Sequence, residues 1–164
     1  MVRENNVWIG VNTSLTNKLV HEGLKNQVID DFGEIDSITP EVKVSAKSRL
    51  DFLLEAGGRK IFLEVKNCSL AEDGVALFPD AVTARGTKHL LELDRLRLEG
   101  HETALIFCVQ RSDANRFMPA QTIDPVYAET LYTTYNNGLR VFAYQADVQP
   151  DHVIITKHIP VFTK

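Results

Sequence analysis

The sequence predicts an α/β fold, a mixed β-sheet flanked by helices, with residues 1–164 forming a single domain. Three observations carry this. Apolar segments of strand character alternate with segments of helical periodicity along the chain. Two runs rich in Phe, Leu, Ile and Val are split by Gly57-Gly58, a pair that favours a two-residue hairpin turn. A near-continuous apolar run, ETALIFCVQ from Glu102 to Gln110, has the signature of a strand buried on both faces and belongs at the centre of the sheet.

Val7 to Val11 is short and apolar. Thr13 and Ser14 then cap a helix expected from about Ser14 to Asn26. On that helix Glu22 shares a face with Leu15 and Leu19, which would turn an acid inward, although Val20 and Leu24 define a rival apolar stripe that would leave Glu22 on the surface. Ile38 to Val44 alternates as a strand, and after a turn-prone SAKS comes the hairpin of Arg49 to Asn67. Pro79 suits the first turn of the longest helix and Gly100 its C-terminal end, with Val82, Gly86, His89, Leu93 and Leu96 on the face that packs on the sheet. A lone histidine on such a face is more often a hydrogen-bonded core residue than a catalyst. RSDANRFMPAQTI, after the central strand, is expected as a loop. Asp124 and Pro125 open a further helix that Gly138 closes, Leu139 to Tyr144 returns as a strand, and Val153 to Val161 is an edge strand.

With 44% hydrophobic and 24% charged residues, the composition is that of a soluble globular domain. No apolar run approaches the ~20 residues of a membrane span, and MVRENNVW lacks the apolar core of a signal peptide, so the expected location is cytoplasmic with no membrane partner. Cys68 and Cys108 show no metal-ligand spacing and are expected reduced, with no disulfide-linked partner. A homo-oligomer is compatible with the sequence. A net charge of −4 argues against strong nonspecific nucleic-acid binding, so any such contact must be local.

The hairpin carries the chemistry. With Gly57 and Gly58 as its loop, Ala56 faces Arg59, Leu53 faces Phe62, Asp51 faces Glu64 and Arg49 faces Lys66. Facing side chains have Cβ atoms about 4.5–5.5 Å apart, and like charges there destabilise the sheet unless a cation neutralises them. Side-chain alternation puts Phe62, Glu64 and Lys66 on one face and Ile61, Leu63 and Val65 on the other. Hard oxygen ligands suit Mg²⁺ or Mn²⁺, which take one or two protein carboxylates and leave other positions to water and phosphate. Asp51 and Glu64 meet that demand, the Val65 carbonyl offers a further ligand, and Lys66 would orient water or stabilise charge on an attacked phosphate. The reaction class is phosphodiester hydrolysis. Arg85 and Lys88 lie off the apolar stripe of their helix, and Arg49 and Arg116 add basic groups that would meet a nucleic-acid backbone.

Asp51 followed by Glu64-Val65-Lys66, with an earlier helix bearing Glu22, resembles the PD-(D/E)XK nuclease superfamily, whose fold is the restriction-endonuclease-like core. The Pro of that name is absent, since Leu50 precedes Asp51. More specifically, VNTSLTNKLV, SRLDFLL, FLEVKN, FPDAVTARGTKHL and RFMPAQTIDPVYA, in that order, resemble the sugar fermentation stimulation protein A family. The resemblance implies a nuclease-like domain whose usual N-terminal OB-like barrel is absent from this sequence. It implies DNA binding and a link to regulation of sugar (maltose) utilisation, with nuclease activity inferred from the fold. Carried over by position, Asp51, Glu64 and Lys66 form the core site, Glu22 is an additional ligand or supporting acid, and Asp80, Thr83, Arg85 and His89 fall in a block that contacts the site or DNA. Two alternatives stand beside the hydrolase: a non-enzymatic DNA-binding transcriptional regulator that keeps the nuclease fold, and a domain binding a sugar or other small ligand.

Overall fold

In the computed structural model, residues 1–164 are all described. In chain order the elements are β1 (Val2–Glu4), β2 (Val7–Ile9), a 3₁₀ turn (Thr13–Leu15), α1 (Thr16–Lys25), β3 (Ser37–Ser45), β4 (Ser48–Ala56) and β5 (Arg59–Cys68). There follow β6 (Leu70–Glu72), β7 (Val75–Phe78), α2 (Ala84–Leu98), β8 (Glu102–Val109), β9 (Arg116–Pro119), α3 (Pro125–Asn137), β10 (Arg140–Val148) and β11 (Val153–Ile159). A six-stranded sheet runs β11-β10-β8-β5-β4-β3. Its middle strands β5, β8 and β10 are parallel, and β3, β4 and β11 pair antiparallel. The mixed α/β arrangement is therefore the expected one.

Gly57 and Gly58 have φ of 57° and 78°, the left-handed pair that a two-residue hairpin turn needs and that only glycine adopts without strain. The turn sets Ala56 opposite Arg59 and Leu53 opposite Phe62 as expected.

The sheet separates two apolar cores. On one face α1 brings Leu19, Val20 and Leu24 against Phe52, Leu54, Ile61, Leu63 and Val65. On the other, α2 and α3 bring Leu90, Leu93, Leu96 and Leu131 against the sheet. The central strand β8 serves both by simple alternation: Ala104, Ile106 and Cys108 enter the first core, and Leu105, Phe107 and Val109 the second. Both cysteines are buried and free.

Caps fix the helix starts. Asp124 Oδ1 accepts the Tyr127 N–H at 2.9 Å to open α3, while its Oδ2 accepts the Thr83 N–H at 2.8 Å, tying the starts of α2 and α3 together. Thr83 Oγ1 in turn accepts the Gly86 N–H at 2.9 Å. The helix therefore begins later than Pro79 suggested. Pro79 opens the connection that follows β7, and Val82 lies outside α2 at 75% exposure, while Gly86, His89, Leu93 and Leu96 form the buried stripe as expected.

Two further expectations are corrected. Residues 116–119 form a strand, β9, completing a small sheet β6-β7-β9; Phe117 from it is fully buried and stacks on Phe107 with ring centroids 4.0 Å apart. The inward face of α1 is Thr16, Leu19, Val20, Gly23 and Leu24, so Glu22 is exposed and Leu15 is 42% exposed. No helix is long and apolar enough to cross a membrane.

Candidate functional site

β4 and β5 pair as far as Phe52 opposite Leu63, and there they part. Asp51 and Glu64 are not a further rung, and Arg49 stands opposite Lys43 of β3, not Lys66. The cause is a change of face in β4. Phe52 packs in the core under α1, whereas Leu50, two residues earlier, packs in the core under α2, which reverses the normal alternation. On β3 the matching position is Glu41, with a left-handed φ of 54°, lying between the rungs Pro40–Phe52 and Val42–Leu50.

Asp51 sits in the opening. Its Oδ2 accepts the Val65 N–H at 2.8 Å, taking the place of a main-chain carbonyl, and its Oδ1 accepts from Asn17 Nδ2 of α1 at 2.8 Å. Because N–H and C=O of one strand residue point to the same side, the Val65 carbonyl also faces the opening. Burial and the negative charge of Glu64 push the Asp51 carboxyl up to about 6, against the opposing hydrogen bonds from Val65 and Asn17.

Glu64 is 3% exposed on the α2 side. Its Oε1 lies 2.6 Å from Lys66 Nζ and 2.5 Å from His89 Nδ1, and those two nitrogens are 2.9 Å apart. His89 Nδ1 donates to Glu64 when it carries a proton and accepts from Lys66 when it does not. Burial alone would raise the Glu64 pKa, but the hydrogen bond from His89 and the charge of Lys66 outweigh it and hold the carboxyl below its usual range. Glu64 Oε2, by contrast, is buried with no hydrogen-bond partner. Beyond Lys66 a pocket of about 400 Å³ opens, lined by Asn17, Val65, Asn67, Ser69 and Asp80 among others.

The structure thus brings Asp51, Glu64, Val65 and Lys66 together and adds two residues. Asn17 fixes Asp51; as an isolated polar residue on a short helix it gave no sequence signal. His89 was readable as a hydrogen-bonded core histidine, and its partners are the site's own Glu64 and Lys66. Glu22 is not brought in, since it lies about 140° around α1 from Asn17. Arg49, Arg85 and Lys88 surround one concavity together with Lys43 and Lys47, two lysines the sequence did not single out. Arg116 lies apart on β9, bonded to Asn115 at 3.1 Å.

Residues 14–152 match the family profile described as Sugar fermentation stimulation protein RE domain. The chain is 47% identical over 148 residues to the Sugar fermentation stimulation protein homolog of Desulfotalea psychrophila, covering 90% of this chain and 63% of that protein. It is 45% identical over 160 residues to the homolog of Geotalea daltonii, covering 98% and 69%. It also matches a solved structure of Pyrococcus furiosus SfsA in complex with Ca2+, with a TM-score of 0.87, 26% identity, and coverage of 93% of this chain and 66% of that one. The chain spans about two thirds of the length of these proteins. Apart from the first three residues of VNTSLTNKLV, the segments that carry the resemblance fall within the matched residues, and the chain belongs to the sugar fermentation stimulation protein (SfsA) family.

Proposed function

We propose that this chain is a divalent-metal-dependent phosphodiester hydrolase acting on DNA, built on a restriction-endonuclease-like PD-(D/E)XK core, with Mg²⁺ or Mn²⁺ held by Asp51, Glu64 and the Val65 carbonyl. One observation carries the reading: Glu64 Oε2 is buried without a partner beside a second carboxylate whose ionisation it opposes. An unsatisfied buried carboxylate oxygen is costly, and a cation between the two acids would satisfy it.

The donor set fits a hard ion. No three His, Cys, Asp or Glu side chains cluster to hold a metal, which leaves two carboxylates and a main-chain carbonyl, the sparse oxygen set from which magnesium binds substrate phosphate and water. The family member from Pyrococcus furiosus, solved in complex with Ca2+, supports a hard-cation site in this fold. When bound, such an ion supplies Lewis-acid charge and lowers the pKa of water.

The chain's own residues supply position. Asp51 is held from two sides by Asn17 and Val65, so its orientation is set before any ligand arrives. Lys66 is steered by Glu64 and His89 to the edge of the pocket, where its ammonium stabilises charge developing on an attacked phosphate or orients the attacking water. Glu22 has no part in this reading, because Asn17 occupies the place beside Asp51 that α1 can reach. DNA would approach over the basic concavity of Arg49, Arg85 and Lys88, the local positive surface that a chain of net charge −4 requires.

The test is incubation of supercoiled plasmid and of single-stranded DNA with Mn²⁺. The wild type should cut, and Lys66→Ala should lose about 10²–10³-fold in rate, the usual effect of removing one charge-stabilising donor. An uncut substrate that is nonetheless retained by the protein in EDTA would replace the hydrolase with a DNA-binding regulator.

A further inference from the structure

Five cations, Lys43, Lys47, Arg49, Arg85 and Lys88, line a single concavity of about 430 Å³ between the β3–β4 turn and the start of α2, and no acidic residue lines it. None of the five takes part in an ion pair. The protein as a whole is acidic, so this is a local concentration of charge. It also runs against helix stability. The first turn of α2 contains no acid and places Arg85 where the helix dipole favours an anion.

A second observation points to a ligand. Ser48, 5% exposed, lines the same concavity, and its hydroxyl is buried with no hydrogen-bond partner. Buried hydroxyls are nearly always satisfied. The concavity also touches the candidate centre, because His89 lines it and bonds Glu64 on its other side.

From these we infer that the concavity is a receptor for a phosphate monoester, the terminal phosphate of a nucleic-acid strand whose chain continues toward Asp51 and Glu64. This deepens the hydrolase reading and rests on it for the direction of the strand. The chemistry separates an end from a backbone. A phosphodiester carries one negative charge and recurs along a strand, so side chains that follow a backbone are spread along a groove. A terminal phosphate carries about −1.5 to −2 charges and three acceptor oxygens. Five cations and a spare hydroxyl gathered around one hollow match the second case. Lys88 is already positioned by donating to the Lys47 carbonyl at 3.1 Å, which reduces the ordering needed on binding.

The experiment is equilibrium binding of the full chain to short single-stranded oligonucleotides in EDTA, read by fluorescence anisotropy. Strands labelled with dye at one end are compared with the opposite end carrying a 5′-phosphate, a 3′-phosphate or, in each polarity, a hydroxyl. A phosphate at one end should tighten binding about tenfold or more, the worth of one charge-assisted hydrogen bond. The Lys47→Ala/Arg85→Ala double variant should lose that preference, and both positions are exposed, so its melting temperature should stay near that of the wild type. Millimolar inorganic phosphate should compete with the phosphorylated strand. Equal binding of all these strands would overturn the inference in favour of backbone contacts, and inorganic phosphate binding without any preference among strands would overturn it in favour of a free small anion. Since nothing is cut in EDTA, a failure here leaves plasmid cleavage by Mn²⁺ standing, and a failure of cleavage leaves an end preference standing.

Discussion

Asp51→Asn should stabilise the metal-free protein. In the native state burial, and after it the nearby charge of Glu64, push the Asp51 carboxyl up to about 6 from 3.8. At about 1.4 kcal/mol per pH unit the shift is worth at most about 3 kcal/mol, and since Asp51 is only partly buried, solvent screening reduces this to about 1–2 kcal/mol. Below pH 3.8 the acid is protonated in both states and exerts no penalty. As pH rises, the unfolded chain ionises first and native stability falls, until the native carboxyl ionises near pH 6. An asparagine escapes this loss and still accepts the Val65 N–H, while Asn17 can turn its amide to match. In EDTA at pH 7.5 the variant should therefore melt about 2–8 °C above the wild type, and the two should converge near pH 4. Divalent ion should reverse the order, since saturation at about a hundred times Kd adds about 2.7 kcal/mol to the wild type only. A variant less stable than the wild type in EDTA, or a gap that persists at pH 4, would refute the assignment of the penalty to the burial of Asp51 beside Glu64.

Two further outcomes are expected. Gly86→Ala places a Cβ 2.8 Å from Thr83 Cγ2 and 3.1 Å from Tyr127 Cε2, so it should cost about 1–3 kcal/mol in urea unfolding by disturbing the cap of α2 and its contact with α3. His89→Leu leaves Glu64 with Lys66 alone and should also cost about 1–3 kcal/mol. Because His89 helps hold the Glu64 pKa below 4.5, that loss should be present above this pH and shrink as pH falls through it, measured by denaturation across pH 3–8.

Much of the fold is legible in local chemistry. Gly57-Gly58 admits a tight left-handed turn, and the turn alone fixes which residues of β4 and β5 face one another as far as Phe52 and Leu63. The continuous apolar run of β8 and the Asp124-Pro125 and Gly138 ends of α3 are equally local. The point where the ladder ends is not. It depends on β4 exchanging one core for the other, which is decided by α1 and α2 packing from opposite sides. The side of Glu22 was ambiguous for a related reason: one residue turns a helix by about 100°, so on a ten-residue helix two stripes compete and only packing selects Val20 and Leu24. The strands β6, β7 and β9 have three or four residues each, too few to show a period, and β9 is held by tertiary contacts, its ladder with β7 and the stacking of Phe117 on Phe107.

The parting of β4 from β5 changes what supports each part of the site. Beyond Phe52 the main chain of β4 pairs only with β3, and the tip bearing Lys43, Lys47 and Arg49 is tied to α2, where Lys88 reaches the Lys47 carbonyl and Arg95 the Val44 carbonyl. The two carboxylates are instead anchored through β5, Asn17 and His89. Asp51 nevertheless belongs to β4, two residues from Arg49, and His89 borders the basic concavity while contacting Glu64, so an anion bound at the tip has a short path to each acid: along β4 to Asp51 and through His89 to Glu64.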